Sequence, residues 1–345
     1  VSVIGRPFDM VEASCVDELA RLGSCTVVAH DPPWSQVSTR VPAPAEVIGA
    51  WDMDIAHLER LADAGCKGDV IVGLGGGTAL DTAKFLAWRL GRPLVQVPSI
   101  TSVDAGFTEA VGVRVDGNVR YVGAVRPERV VLDVDLVRGA PAHLNRAGVG
   151  DIISCATGLH DWRLAADQSE GPAWDEELAA LGRSLLVGVV AHADDVRAVT
   201  PEAVRFMASS YRAIGAACAD AGHSRFEEGS EHFWAYAYES LTGAHPIHGE
   251  IISFAVVVMS SLQGNDASSM RDLVARCGVR AHPDDIGVTR ADYDRTWSVL
   301  RRYVRDNSLD VSVIDEREFS AAELDAAWHH VASLPRVGTS DGSGR

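Results

Sequence analysis

The sequence predicts an α/β N-terminal domain carrying a parallel, Rossmann-like sheet. An all-α C-terminal domain follows it, and the active site is expected in the cleft between them. Three observations carry this. Strand-like and helix-like segments alternate from residue 25 to residue 99, the rhythm of parallel strands with helices on their faces. Beyond about residue 145 the segments have helical spacing, with turn residues between them. At 345 residues the chain exceeds what one core usually serves. The expected division is 1–145, 146–337 and a Gly/Ser-rich flexible tail over 338–345.

The elements follow in order. "CTVVAHD" (25–31) is a short apolar run ending in turn residues, read as a strand. "DIAHLERLADAGC" (54–66) has helical period. "GDVIVGLGGG" (68–77) is a β-branched strand running into glycines. "TALDTAKFLAWRLG" (78–91) is an amphipathic helix ended by Gly91, and "PLVQVPS" (93–99) is another strand. "NVRYVGAVRPERVVLDVDLV" (118–137) reads as extended segments. In the second half the spacing predicts helices over 147–167, 175–196, 201–222, 230–241, 248–264 and 268–279.

The formal net charge is −17. Such a surface repels nucleic acid and anionic membranes, so neither is an expected partner. No apolar run has membrane length, and "VSVIGRPFDM" lacks a basic-then-apolar signal. A soluble, cytoplasmic protein is expected. The six cysteines are scattered without a CxxC pair, which predicts reduced thiols and no cysteine-built zinc site. There are only two lysines, Lys67 and Lys84.

"GLGGGTALDTAK" places Gly73, Gly75, Gly76 and Gly77 between a strand and a helix. Glycines there let the backbone approach a ligand, and the helix start offers free N–H groups to a diphosphate. The spacing is neither GxGxxG nor a Walker loop, and a tight strand-to-helix turn is the competing reading. Asp31, at the end of a predicted strand, could bond a ribose hydroxyl and favour NAD over NADP, or it could be a solvated turn aspartate.

"EEGSEHFWAYAYESLTGAHPIHGE" (227–250) holds His232, His245 and His248. Ser230 is a plausible N-cap, and Gly243 and Pro246 stop the helix. His232 sits early in one helix and His248 at the start of the next. The first helix rises ~15 Å and the connecting residues extend ~17 Å, so the two imidazoles can converge without being required to. A catalytic zinc or iron takes three protein ligands. The third candidate is Asp151, exposed between Gly148 and Gly150 in "AGVGDIIS". His160 and Asp161 in "LHDWRL" read as a helix-surface pair, with a place behind the metal helix as the alternative.

Together these stretches resemble the iron-containing alcohol dehydrogenases and dehydroquinate-synthase-like proteins. Within that family the likeness is closest to the sn-glycerol-1-phosphate dehydrogenases, with glycerol dehydrogenase next. The motifs are "GGGTALDTAK", "VPSITSVDAGFT", "AGVGDIISCATGLHDWRLA", "SRFEEGSEH" and "HPIHGEIIS". The resemblance implies a dinucleotide-binding first domain and a metal-binding second domain. It implies Asp151, His232 and His248 as metal ligands, Gly75, Gly76, Gly77 and Asp81 at the dinucleotide, and Thr101, Ser102 and Asp104 at the nicotinamide and substrate. Lys84 matches the family lysine after the glycine loop. Val103 stands where the family has a His. Phe226, Glu227 and Glu228 stand where it has Pro and small residues, and two acids there would repel a phosphorylated substrate.

The expected activity is metal-assisted hydride transfer between NAD or NADP and a small polyol or phosphopolyol. The metal is one divalent ion, zinc first, with iron or nickel as alternatives. Asp104 would orient a substrate hydroxyl and His245 pass its proton to solvent. Arg120 and Arg225 are the candidates for a substrate phosphate. The family likeness also implies a homo-oligomer, a dimer or larger. The alternative is a sugar-phosphate cyclase of the dehydroquinate synthase type that uses NAD transiently, which the lysine scarcity disfavours. A third reading, a binding protein that has lost catalysis, is opposed by the intact Asp-His-His set.

Overall fold

Residues 9–338 are described by a computed structural model. The tail expected over 338–345 lies, past its first residue, outside them. The strands are β1 (Met10–Glu12), β2 (Cys25–Ala29), β3 (Glu46–Gly49), β4 (Val70–Gly75), β5 (Leu94–Pro98), β6 (Ala110–Val115), β7 (Asn118–Ala124) and β8 (Arg129–Leu132). Six of them form one sheet, in the order β1-β8-β5-β4-β2-β3, with every pairing parallel. Between them run α1 (Cys15–Arg21), α2 (Pro33–Val37), α3 (Ile55–Ala64) and α4 (Gly77–Leu90). The central strands are buried on both faces, which is why they read as continuous apolar runs. Val28, Ile71 and Leu94 pack on one side against α3 and α4. Val27, Val72 and Val97 pack on the other with Cys15, Leu19 and Val37.

The segment 118–137 is extended, as expected, through β7 and β8, and departs from that reading only at its end. Strands β6 and β7 form an antiparallel hairpin apart from the main sheet. Asp116 and Gly117 turn it, with φ of 52° and 77°, the left-handed pair that a tight hairpin turn requires. Residues Val134–Arg138 are helical (α5), because the Asp133 carboxylate accepts from Leu136 N and caps them.

The remaining regular elements among the described residues are all helices. They form α6 (Ala142–Ala147), α7 (Val149–Ile153), α8 (Cys155–Asp167), α9 (Glu176–Ala198), α10 (Pro201–Ala221), α11 (Ser230–Thr242) and α12 (His248–Gln263). After these come α13 (Ala267–Cys277), α14 (Pro283–Ile286), α15 (Arg290–Asp306), α16 (Val313–Glu316) and α17 (Ala321–Val331). Helix α12 is buried on every side from Gly249 to Ser260, as its long apolar run from Phe254 to Met259 requires. Its first residue, His248, is therefore placed by a packed core. No helix among the described residues is long and apolar enough to cross a membrane.

Candidate active site

The site starts from small residues that let two helices touch. A Cβ on Gly249 would stand 1.9 Å from the Ala147 carbonyl oxygen, and one on Gly150 would stand 2.4 Å from that of Gly249. The backbones of α7 and the first turn of α12 therefore meet directly. Asp151 follows Gly150 and His248 precedes Gly249, and His248 Nε2 lies 3.4 Å from Asp151 Oδ1. Gly243 ends α11 in the left-handed conformation, and the short connection returns the chain to the start of that helix. The rings of His232 and His248 come to 5.4 Å between centroids. One ligating atom from each of Asp151, His232 and His248 lies within 4.8 Å of the others.

This donor set fits a divalent metal. Asp151 Oδ1 is buried without a hydrogen-bond partner, while Oδ2 accepts from Asp104 N at 3.0 Å. His232 Nδ1 lies 2.8 Å from Glu231 Oε1, an acceptor that keeps the proton on Nδ1 and leaves Nε2 as the donor atom. Glu231 is wholly buried and also accepts from Gly229 N at 2.7 Å. Burial opposes a charged His232, but the bond to Glu231 and the charges of Glu228, Glu231 and Asp151 prevail and take it up to about 9. Burial and then His232 push His248 down to about 4. Burial raises Asp151 to about 6. The raised His232 reports the surplus of carboxylate charge around its ring, which a bound cation would relieve.

Asp161 is not on a helix surface. It is fully buried and accepts from Ser230 N at 2.7 Å and Val313 N at 2.9 Å. It thereby fixes the start of α11, and with it Glu231 and His232. Asp161 is buried because its partners come from two distant segments.

The glycine turn lies where β4 meets α4. Gly75 has φ +152°, and a Cβ there would stand 2.9 Å from Ala79 Cβ and 3.2 Å from the His30 ring. No side chain caps the helix start at Gly76, so its first N–H groups remain available to a ligand. Gly77 stands beside Val103, whose Cγ1 would lie 3.0 Å from a Cβ. The next residue is Asp104, bonded to Asp151, so one loop joins the glycine turn to the Asp-His-His cluster.

Several candidates already hold protein partners. Asp31 is exposed and accepts from Ser35 N at 3.1 Å. Asp81 Oδ1 pairs with Lys84 Nζ at 2.7 Å, and Lys84 also donates to Ala110 O at 2.6 Å, tying the hairpin to α4. Thr101 is buried, with its N–H on Asn145 Oδ1 at 3.0 Å and its carbonyl accepting from Tyr211 OH at 2.8 Å. Ser102 is buried beside it. His245 is exposed, its Nδ1 4.0 Å from Glu239 Oε2, and it is not part of the cluster. Arg120 donates to Asn307 Oδ1 at 2.5 Å, and Arg225 to Val311 O at 2.6 Å. The residues not anticipated are Glu231, His30 and Arg114. His30 carries a buried, unpartnered Nδ1 beside the glycine turn. Arg114 on β6 pairs with buried Glu239 of α11 at 2.7 Å.

A parallel sheet with an open glycine turn, beside a buried carboxylate and two imidazoles, is the architecture of a metal-dependent dehydrogenase. Comparison with known proteins gives the same class. The family profile described as iron-containing alcohol dehydrogenase matches residues 39–141. A glycerol-1-phosphate dehydrogenase [NAD(P)+] from Hyperthermus butylicus is 32% identical over 271 residues, 78% of this chain and 74% of that one. One of the same name from Methanothrix thermoacetophila is 29% identical over 73% of this chain and 68% of its own length. The glycerol dehydrogenase structure from Schizosaccharomyces pombe superposes with a TM-score of 0.71 at 16% identity, covering 95% of this chain and 89% of that one. The chain belongs to the iron-containing alcohol dehydrogenase family.

Proposed function

We propose that the chain is a metal-dependent, NAD(P)-linked oxidoreductase that interconverts a polyol or phosphopolyol and its carbonyl form. Asp151, His232 and His248 would hold one divalent metal, zinc by the chemistry of the donor set. The Gly75–Gly77 turn and the start of α4 would hold the cofactor diphosphate. Residues up to 145 would then be the nucleotide half and 146–337 the metal half. The convergence of three ligating groups within 4.8 Å carries the reading.

Held by Asp151, His232 and His248, a metal would supply Lewis-acid chemistry to the substrate alcohol. The chain's own residues do the rest. Glu231 holds the His232 ring in one tautomer and orientation. The Asp104 backbone N–H holds the Asp151 carboxylate. Asp104, whose backbone bonds the ligand Asp151, would orient a substrate hydroxyl next to the cluster. His245, open to solvent, would pass the proton out. A nicotinamide cofactor held at the Gly75–Gly77 turn would supply or take up the hydride. The test is NAD(P)H-linked turnover by zinc-loaded protein on polyols, phosphopolyols and hydroxyketones. Turnover of one of these is expected, and none across all three classes would overturn the reading.

A further inference from the structure

One segment beside the ligand cluster, Phe226, Glu227 and Glu228, carries two further carboxylates. Phe226 is fully buried and anchors it. Glu227 is buried next to Cys218 Sγ, 3.7 Å away, and burial followed by Asp104 raises its carboxyl well above the ordinary range. Glu228 is only half-buried. Its Oε1 accepts from Tyr236 OH and its Oε2 from Ser224 Oγ, each at 2.8 Å. The Tyr236 ring lies 5.9 Å from that of His232, so this carboxylate is fixed on the wall of the cluster. Its negative charge acts on Asp151, His232 and His248.

A substrate phosphate needs cations free to receive it. Arg114 is paired with Glu239 at 2.7 Å, Lys84 with Asp81 and Arg120 with Asn307. Arg225 donates from Nη2 to Val311 O, with Asp310 3.9 Å from Nη1, while its buried Nε and Nη1 have no hydrogen-bond partner. Arg114, Lys84 and Arg120 are thus engaged by side chains, and Arg225 is engaged only in part. A carboxylate held by two hydroxyl donors still has lone pairs for a third donor. A substrate hydroxyl can use them, whereas a phosphate meets like charge.

We propose that Glu228 is a specificity-determining residue that turns anionic substrates away, so that the site takes an unphosphorylated polyol or hydroxyketone. This rests on the dehydrogenase reading above. The selectivity would come from a repulsive element, as in many selective sites.

The experiment compares zinc-loaded wild type with Glu228→Gln, which removes the charge and keeps the shape. Specificity constants are measured for dihydroxyacetone and its phosphate, and for glycerol and glycerol phosphate. Binding of glycerol phosphate in the presence of NAD is measured by calorimetry. Wild type is expected to favour the unphosphorylated member of each pair by about a hundredfold, and Glu228→Gln to lower that ratio about tenfold or more. A wild type that prefers the phosphorylated member, or a ratio unmoved by the substitution, overturns the proposal. Absent turnover with metal and nucleotide bound would count against the dehydrogenase reading alone. Calorimetry then decides: a gain in glycerol phosphate binding by Glu228→Gln supports the proposal, and no gain overturns it.

Discussion

Gly150 and Gly249 meet backbone to backbone: a Cβ on the first would lie 2.4 Å from the carbonyl oxygen of the second. This contact sets Asp151 beside His248, since each ligand is the chain neighbour of one of the glycines. Gly249→Ala would drive a methyl against the Ala147 carbonyl, 1.9 Å away. Expected are a loss of about 3 kcal/mol in denaturant unfolding and less bound metal per folded chain.

Glu231→Gln addresses the orientation of His232. Glu231 Oε1 accepts from both Gly229 N and His232 Nδ1, so a glutamine can keep both bonds and removes only the negative charge that strengthens the bond to the imidazole. Zinc affinity, read by competition with a chelating dye, is expected to fall about 10- to 100-fold with the fold retained. An unchanged affinity would mean that Glu231 only supports the start of α11.

Much of this was legible in the chain, and what was not has physical reasons. Strands β2, β4 and β5 announce themselves because buried parallel strands are continuous apolar runs between turn residues. Strands β1 and β3 are three and four residues long, too short to show a period. The hairpin was marked by Asp116-Gly117, a turn signal that was there to be read. Glu231 had a signal too: a metal-binding imidazole needs an acceptor on its other nitrogen, and an acid is its chain neighbour. Asp161 had none, because its partners lie 69 and 152 residues away. Arg114 and Glu239 are likewise joined only by the fold.

The glycine turn has its own test. Gly75→Ala must adopt φ near +152° and press on Ala79, conditions a side chain tolerates poorly. NADH binding, followed by fluorescence, is expected to weaken about tenfold, with metal content unchanged.

Glu250, in the first turn of α12, gives stability a pH dependence. Burial raises its carboxyl to about 7, against the pull of Arg280, which lies 3.6 Å away. A carboxyl whose folded pKa is raised binds its proton more tightly when folded. The stability it contributes is fully present below its unfolded value, near 4.5, and is lost as pH rises through about 7. Between pH 5 and pH 8, Glu250→Gln should therefore gain on wild type by about 2 kcal/mol in urea unfolding.

The central claim, that Asp151, His232 and His248 hold one metal, is met most directly by metal analysis of wild type and His248→Ala after zinc loading, with NADH binding measured on the same samples. About one zinc per wild-type chain, lost in His248→Ala while NADH still binds, is the expected result. Full zinc occupancy in His248→Ala, or none in a wild type that binds NADH, would contradict it.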